Sequence, residues 1–294
     1  MSNKTKGILC LVFSALLYST MSVLIRLLNA GGLPPMTQVF SRYIFAFMAA
    51  AVFFFLARKE KIKLAKKDIP LLLITTIFCY ALTNLFFTYG IIYTLVSNAL
   101  FLFYSYAILT PVLAFFLLKE KLNKWNLISI LLCLVALFML FQPNALPTWK
   151  LGAVFAILSA LGQALYFVFR RKLSNYSAVF MMFANTLVGV IVLGSMSLIF
   201  ENSFYSGGEI AQVSSSTWLI SILFGLINFG AWFLMTRGFE MFKSSSGSMI
   251  LLIENVFAIL FALTFFGEVP TLVTVVGGIL VLSASILVIL KGEG

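Results

Sequence analysis

Glu254 and Asn255 are adjacent polar residues inside the apolar stretch LLIENVFAIL, residues 251 to 260. A charged side chain at the centre of a bilayer costs about 3 to more than 10 kcal/mol, so it usually has a partner, a bound proton or a function. Arg42 is a second ionisable residue within a long apolar stretch. A carboxylate and a guanidinium in such surroundings can bind the two charged ends of a zwitterion, or they can neutralise each other.

The composition places these stretches in a membrane. Of 294 residues, 62% are hydrophobic and 10% are charged, and the mean hydropathy is +1.09. A soluble domain carries roughly 25% charged residues. The apolar stretches are about 20 residues long, which suits a transmembrane helix and not the alternating pattern of a barrel strand. The sequence therefore predicts an all-α membrane protein with many spans.

Several other functions are excluded or disfavoured by the residue types. The chain has no histidine, which excludes a Ser-His-Asp triad and a histidine metal site. Cys10, Cys79 and Cys133 lie in apolar stretches without metal spacing, so we interpret them as small packing residues and expect no cofactor or metal. The formal charge of +11 is not clustered on a soluble face, so we expect no nucleic-acid partner.

Ten candidate membrane spans follow from the apolar stretches and the charged or helix-breaking residues between them. We expect a tight turn near Gly90, because the third and fourth spans together are too long for one helix. The first span is longer than the apolar core of a signal peptide, so we keep it as a helix. The spans cover residues 7–28, 36–57, 69–91, 93–118, 125–142, 151–170, 176–200, 217–237, 244–266 and 271–290.

The basic residues of the connecting loops predict the orientation. With ten spans they fall on one side, whereas the opposite loops hold only Lys150. Because short cytoplasmic loops are rich in Lys and Arg, we expect both termini in the cytoplasm and the protein in the cell membrane.

The sequence contains an internal repeat. GILCLVFSAL at 7–16 matches GAVFAILSAL at 152–161, and Glu120 and Glu268 close corresponding spans about 30 residues after Gly90 and Gly238. The predicted halves are residues 1–145 and 146–294. Because each half has five spans, the second half is inverted relative to the first. Inverted repeats are typical of transporters, whose sites lie between the halves near the midplane.

These features resemble the drug/metabolite transporter superfamily and, within it, the ten-helix EamA-like proteins. The resemblance rests on the repeated opening motif, on the Arg42-Tyr43 pair and on the glutamates that close helices four and nine. STMSVLIR at 19–26 also resembles the aromatic amino acid exporters of this superfamily. The resemblance implies that helices five and ten lie outside the substrate cavity. The sequence departs from the family pattern at Tyr18 and Gln163, where Trp is common, and at Asn255, where Pro is common.

Large polar side chains at estimated depths from the bilayer centre into either half, on the helices that the family uses for its cavity, are the candidate substrate-binding residues. Interhelical hydrogen bonding is the alternative for Asn185 and Asn84, and packing is the alternative for the tyrosines. We interpret Arg26 as a side chain that extends to the headgroups, and Glu120 and Glu268 as structural. The candidates are Glu254, Asn255, Arg42, Tyr104, Asn228, Asn185, Tyr80, Asn84, Asn98, Gln163, Tyr166 and Tyr18.

Three interpretations of Glu254 and Arg42 stay open. They form a structural salt bridge, since their estimated depths differ by only about 6 Å. Alternatively, Arg42 binds a substrate carboxylate while Glu254 binds an ammonium. In the third, desolvated Glu254 carries a coupling proton. The second and third are compatible with each other.

We therefore expect a secondary active transporter that works by alternating access and exports a small amphiphilic metabolite, with amino acids as the first class. The alternative is an uptake carrier for a vitamin, a nucleotide precursor or a sugar conjugate, which would favour more basic residues at the site. We expect no enzyme activity, because nucleophile-base pairs are lacking, and no ATP hydrolysis, because no P-loop is present. The expected partners are the substrate, protons and the bilayer, with the chain as a monomer or homodimer.

Overall fold

The protein is helical throughout the part of the chain that its computed structural model describes, namely residues 3–56, 64–94, 96–141, 151–201, 213–266 and 269–291. Nine helical stretches in these ranges are long and apolar enough to span a membrane, and Lys124–Phe141 is a shorter apolar helix at the place of the fifth predicted span. The prediction of an all-α, multi-span membrane protein is therefore confirmed.

We number the spans α1 to α10 and give the two parts of an interrupted span the letters a and b. The first five spans are α1a Asn3–Tyr18, α1b Met21–Ala30, α2 Pro35–Leu56, α3a Ile69–Thr76, α3b Thr83–Tyr93, α4a Val96–Tyr104, α4b Tyr106–Leu118 and α5 Lys124–Phe141. The second five are α6 Leu151–Lys172, α7 Ala178–Phe200, α8 Ser215–Met241, α9a Ser244–Leu251, α9b Glu254–Phe266 and α10 Leu272–Lys291.

Four of the spans are irregular near their middle. α1 is interrupted at residues 19–20, α4 at residue 105 and α9 at residues 252–253. In α3 the six residues Ile77–Leu82 form a π-helical segment. Such interruptions leave backbone groups without their usual helical partners, and in membranes they occur where the backbone is covered by protein or lines a cavity.

The interruptions in α4 and α9 occupy equivalent places in the two halves. α4a begins at Val96 and α4b at Tyr106, whereas α9a begins at Ser244 and α9b at Glu254. Val96 and Ser244 are separated by the same number of residues as Tyr106 and Glu254. Gly90 and Gly238 are separated by that number as well. The helix packing follows the same relation, since α1 packs on α8 and its counterpart α6 packs on α3.

Glycine allows the closest approach between the halves. A Cβ atom on Gly189 of α7 would overlap the ring of Tyr43 on α2, and one on Gly162 of α6 would overlap the hydroxyl of Thr83 on α3. Close backbone contact through small residues is the usual way in which membrane helices gain packing energy.

The predicted turn at Gly90 is wrong by a few residues. α3b continues to Tyr93, and Gly90 is a buried helical residue against Ala156 of α6. A glycine in an apolar helix marks a close contact here and not a turn.

Some predictions concern residues outside the described ranges. These are the boundary between the halves at 145 and 146, Lys150 and Glu268. The orientation of the termini stays a prediction.

Carboxylates cap two helices at their N-terminal ends. Glu120 accepts hydrogen bonds from Ser244 N at 3.2 Å, from Ser245 N at 3.3 Å and from Ser245 Oγ at 2.7 Å. Glu201 accepts bonds from the first turn of α2, from Met36 N at 2.7 Å and from Thr37 N at 2.7 Å. The contacts of Glu120 agree with its interpretation as a structural residue, because N-terminal amides favour a negative partner.

Candidate functional site

Glu254 lies at the interruption of α9 and bonds to the interruption of α4. Tyr104, the last residue of α4a, donates a hydrogen bond from its hydroxyl to Glu254 Oε1 at 2.6 Å. Both side chains are buried, with 2% of Tyr104 and 8% of Glu254 exposed. The carboxyl group thus has a protein partner within the membrane, which lowers the cost of burying it.

The local backbone of α9 explains why the chain is interrupted beside Glu254. Leu252 N and Ile253 N bond to carbonyls three residues earlier, at 3.2 and 3.1 Å, as in a tight 3₁₀ turn. Asn255 donates its side-chain Nδ2 to the carbonyl of Leu252 at 3.1 Å. The same carbonyl also accepts from the backbone N–H of Asn255 at 3.0 Å, so Asn255 supplies two donors at the interruption, and a proline in its place would supply neither.

A continuous chain of aromatic rings leads from Tyr104 towards α2. Tyr104 lies 5.9 Å from Tyr106, which lies 5.5 Å from Phe167, and Phe167 lies 6.3 Å from Tyr166, all measured between ring centroids. Tyr166 in turn lies 5.1 Å from Tyr80. These rings come from α4, α6 and α3, so both halves form this wall.

The wall ends in a cluster of three rings. Tyr80 lies 5.9 Å from Tyr43 and 5.1 Å from Trp232, and Tyr43 lies 4.9 Å from Trp232. All three are at most 2% exposed. Tyr80 reaches this place from the π-helical segment of α3, which changes the direction of its side chain relative to a regular helix.

Arg42 is adjacent to Tyr43 and is fully buried. Its Nη2 donates to Thr88 Oγ1 at 2.7 Å and to the carbonyl of Asn84 at 3.3 Å, and its guanidinium lies 4.8 Å from the ring centroid of Phe224. Its Nε and Nη1 atoms are buried and have no protein partner. A buried guanidinium with unused N–H groups can bind a carboxylate.

The structure contains no salt bridge between Arg42 and Glu254. The ion pairs among the described residues include Arg170 with Glu240 at 3.5 Å and Arg237 with Glu240 at 2.7 Å. Arg42 and Glu254 instead stand at opposite ends of the aromatic wall. Similar depth along the membrane normal does not bring two side chains together when they project from different helices.

Asn84 and Asn185 link helices by hydrogen bonds. Asn84 Nδ2 donates to Tyr43 Oη at 3.1 Å and to the carbonyl of Tyr80 at 2.9 Å. Asn185 Nδ2 donates to Tyr166 Oη at 3.1 Å, and that hydroxyl is 2.8 Å from Thr236 Oγ1. These contacts correspond to the alternative of interhelical hydrogen bonding.

Tyr18 and Gln163 converge on one sulfur atom. Tyr18 Oη lies 3.1 Å and Gln163 Nε2 lies 3.6 Å from Met235 Sδ. The two residues hold equivalent places in α1 and α6, and both contact α8. A thioether is a weak acceptor, so both donors can exchange it for a better partner.

Asn228 and Asn98 have unused hydrogen-bonding capacity. Nδ2 and Oδ1 of Asn228 are buried and have no hydrogen-bond partner in the protein, and the same is true of Oδ1 of Asn98. Asn228 lies one helical turn from Phe224 and one from Trp232 on α8, so it occupies the helix face that contacts Arg42 and the ring cluster. Buried amides without partners indicate water or a ligand at this face.

Eight contributors to this interior were not identified from the sequence as site residues: Tyr43, Thr88, Tyr106, Phe167, Phe224, Trp232, Met235 and Thr236. Aromatic residues are too frequent in this chain, with 32 Phe alone, for their type to separate interior from lipid-facing positions. The Arg42-Tyr43 pair was a usable signal for Tyr43. Arg26, in contrast, is exposed, in agreement with its interpretation as a side chain that reaches the headgroups.

A second buried arginine closes one end of the bundle. Arg170 donates to the carbonyls of Leu173 at 2.8 Å and Tyr176 at 3.1 Å and pairs with Glu240. Its partners hold the α6–α7 connection to α8, which is a structural role. Among the described residues, no group of three or more His, Cys, Asp or Glu side chains could hold a metal ion.

The interrupted helices, the repeat and the buried polar interior define a helical membrane transporter of the inverted-repeat class. The model of the EamA-like transporter family matches residues 5–142 and again residues 150–290, so the chain belongs to this family. The family resemblance predicted from the motifs is therefore confirmed. The protein is a multi-pass protein of the cell membrane.

Relatives of known name are transporters. The chain is 23% identical to an uncharacterized transporter of Clostridium kluyveri, over 96% of this chain and 92% of the relative. It is 27% identical to one of Archaeoglobus fulgidus, over 94% of each chain. It is 23% identical to the pseudopaline exporter CntI of Pseudomonas aeruginosa, over 95% of this chain and 94% of the relative. A solved crystal structure matches the fold with a TM-score of 0.80 at 14% identity, over 99% of both chains.

Proposed function

We propose that the protein is a secondary active transporter that exports a small zwitterionic metabolite, with amino acids as the first class, by alternating access. The observation that carries this proposal is the hydrogen bond from Tyr104 to Glu254, which joins the interrupted spans α4 and α9. These spans are equivalent in the two halves. A polar contact at this place can change when the halves move relative to each other.

The two charged residues supply end groups for a zwitterion. Glu254 has one carboxylate oxygen engaged by Tyr104, which leaves the other for an ammonium group. Arg42 has two N–H positions without a protein partner, which suit a carboxylate. The aromatic wall between them suits an apolar or aromatic side chain, which would pack on Tyr80, Tyr166 and Trp232.

The small number of buried cations favours a zwitterionic substrate over a multiply charged anion. Among the described residues, the buried arginines are Arg42 and Arg170, and Arg170 is engaged by two carbonyls and Glu240. A nucleotide precursor or a sugar phosphate would need more uncommitted cations than this.

Glu254 is also the proposed coupling group. Its carboxyl group would take a proton from one side of the membrane and release it to the other side, and substrate would bind to the deprotonated form. The similarity to an exporter of a metabolite supports the direction of transport that we propose.

Transport of labelled amino acids into proteoliposomes, with and without an imposed pH gradient, tests this function. The wild type is expected to transport at least one amino acid and to respond to the gradient. Glu254→Gln keeps the size and a hydrogen-bond acceptor for Tyr104 but cannot release a proton, so its residual transport should lose the response to the gradient. Tyr106→Phe, at a neighbouring buried tyrosine without a hydroxyl contact to Glu254, is the control.

Two results would overturn the proposal. If neither protein transports any amino acid while a sugar or nucleotide conjugate is carried, the zwitterion is the wrong substrate class. If Glu254→Gln keeps the response to the gradient, Glu254 is not the coupling group. The thermal midpoint of each variant is measured first, so that a folding defect is recognised.

A further inference from the structure

Trp125 lies between two lysines at one end of the bundle. Lys124 Nζ and Lys291 Nζ are each 5.2 Å from the centroid of the Trp125 ring. Lys124 is the first residue of α5 and Lys291 is the last residue of α10, and these two helices are in contact. Both lysines are exposed, and the indole is partly exposed. Because each ammonium group contacts the same ring, the two lie within about 10 Å of each other.

Asn123 fixes this arrangement. Its Oδ1 accepts hydrogen bonds from Trp125 N at 3.0 Å and Asn126 N at 2.9 Å, which caps α5. Its Nδ2 donates to the carbonyl of Lys291 at 2.9 Å. One side chain therefore holds the start of α5 to the end of α10, and the two lysines are positioned by helix ends rather than by free loops.

The positive charge here has no described acidic neighbour. Within the ranges that the structure covers, neither ammonium forms an ion pair. Glu120, the nearest acidic residue before Lys124 in the sequence, is engaged by the first turn of α9a. Like charges that are held together without a carboxylate favour an external anion.

An apolar surface continues from the lysines along both helices. α5 and α10 run antiparallel in close contact, with Ser129 Oγ 3.2 Å from the carbonyl of Ala284 and Gly277 packed against Leu140. The large apolar side chains that both helices expose include Leu127, Leu131, Leu134, Phe138, Ile279, Ile286 and Leu290.

We propose that this place, formed by Lys124, Trp125 and Lys291, is a binding site for an anionic phospholipid. The phosphate of the headgroup would lie beside the ammonium groups, the indole would occupy the headgroup level, and the acyl chains would cover the exposed apolar side chains of α5 and α10. An acidic protein would complement the charge of the lysines but would not cover the apolar surface next to them. A phospholipid can do both, so the apolar surface favours a lipid. The proposal does not depend on the transported substrate.

The test is native mass spectrometry of the full chain in detergent with equal amounts of phosphatidylglycerol and phosphatidylcholine. The wild type is expected to retain phosphatidylglycerol preferentially. In the double variant Lys124→Gln/Lys291→Gln this preference should fall about twenty-five-fold, since each basic residue at a membrane surface contributes about fivefold to the binding of anionic lipid. Lys124→Arg/Lys291→Arg keeps both charges and should retain it.

Lys66→Gln/Lys172→Gln is the matched control, because it removes two exposed lysines on the same predicted side of the membrane. Glu293 lies outside the described residues and is unchanged in all variants. An unchanged preference in the Lys124/Lys291 variant, or an equal loss in the control, would overturn the site. Displacement of the lipid by millimolar inorganic phosphate would show a free-anion site, and a dimer that excludes the lipid would show that a second copy covers this surface; either result overturns the proposal.

Discussion

The hydroxyl of Tyr104 lies 2.6 Å from Oε1 of Glu254, and each residue stands at the interruption of a membrane span. The interruptions occupy equivalent places in α4 and α9, the fourth spans of the two halves. The hydrogen bond joins one irregular segment from each half, so a change at the carboxyl group of Glu254 can change how the two halves are held together. Binding of a substrate ammonium or a proton at Glu254 would alter this connection directly.

Tyr104 and Glu254 should act as a unit in transport. Tyr104→Phe removes the donor and is expected to lower the transport rate about tenfold, the effect of losing one hydrogen bond to a carboxylate. Combined with Glu254→Gln, the loss should be no larger than that of Glu254→Gln alone, because Tyr104 acts through the ionisable carboxyl group that Glu254→Gln already removes. Initial rates in proteoliposomes for the four proteins measure this coupling, and additive losses would contradict it. Tyr106→Phe serves as the control for removal of a nearby hydroxyl.

Arg42 should discriminate substrates by their carboxylate. Arg42→Gln is expected to weaken competition by an amino acid at least about thirtyfold, because it removes the charged partner of a buried carboxylate. Competition by the corresponding amine, which lacks the carboxylate, should change little. Arg42→Lys should give an intermediate effect, since a lysine keeps the charge but not the planar set of donors. The measurement is the inhibition of labelled transport by each competitor. An equal loss of inhibition for the amino acid and for the amine would show that Arg42 does not bind the substrate carboxylate.

Gly189 should tolerate no larger side chain. Gly189→Ala places a methyl group in the ring of Tyr43, which is fully buried between α2 and α7, and is expected to destabilise the protein by about 1 to 3 kcal/mol. Gly278→Ala is the matched control, because its Cβ would have Ile259 Cδ1 as the nearest atom at 3.8 Å, an ordinary contact. Thermal midpoints in detergent compare the two variants, and equal midpoints would show that the α2–α7 contact is not tight in solution.

Glu201 should stabilise the start of α2. It accepts hydrogen bonds from Met36 N and Thr37 N at 2.7 Å each and from Thr37 Oγ1 at 2.9 Å. Glu201→Ala removes all three bonds and is expected to cost about 1 to 3 kcal/mol in stability. Ser195→Ala, on the same helix, removes only an exposed bond to its own helix and should be nearly neutral. The comparison again uses the thermal midpoint, and a midpoint of Glu201→Ala equal to that of the wild type would show that the cap contributes nothing.

Most of the fold could be predicted because membrane insertion depends on local composition. The start of α9 at Ser244 and the end of α7 at Phe200 coincide with the predicted limits, since charges and apolar length decide where a span ends. The interruptions in α1, α4 and α9 were not predicted. Residues of the types of Ser19, Thr20 and Ser105 also occur inside regular membrane helices, and Leu252 and Ile253 are as apolar as their neighbours, so residue type alone does not mark these places. An interrupted helix is tolerated in a membrane where other parts of the protein cover its backbone.

The sequence by itself determined the number and limits of the spans, the inverted repeat, the family and the presence of two ionisable residues in the interior. Only the tertiary structure decided their partners: Glu254 bonds to Tyr104, and Arg42 bonds to Thr88 and Asn84. The physical reason is the range of each effect. The cost of placing a residue in lipid is a property of that residue and its near neighbours, whereas a hydrogen bond between residues 150 positions apart depends on how the helices rotate and pack.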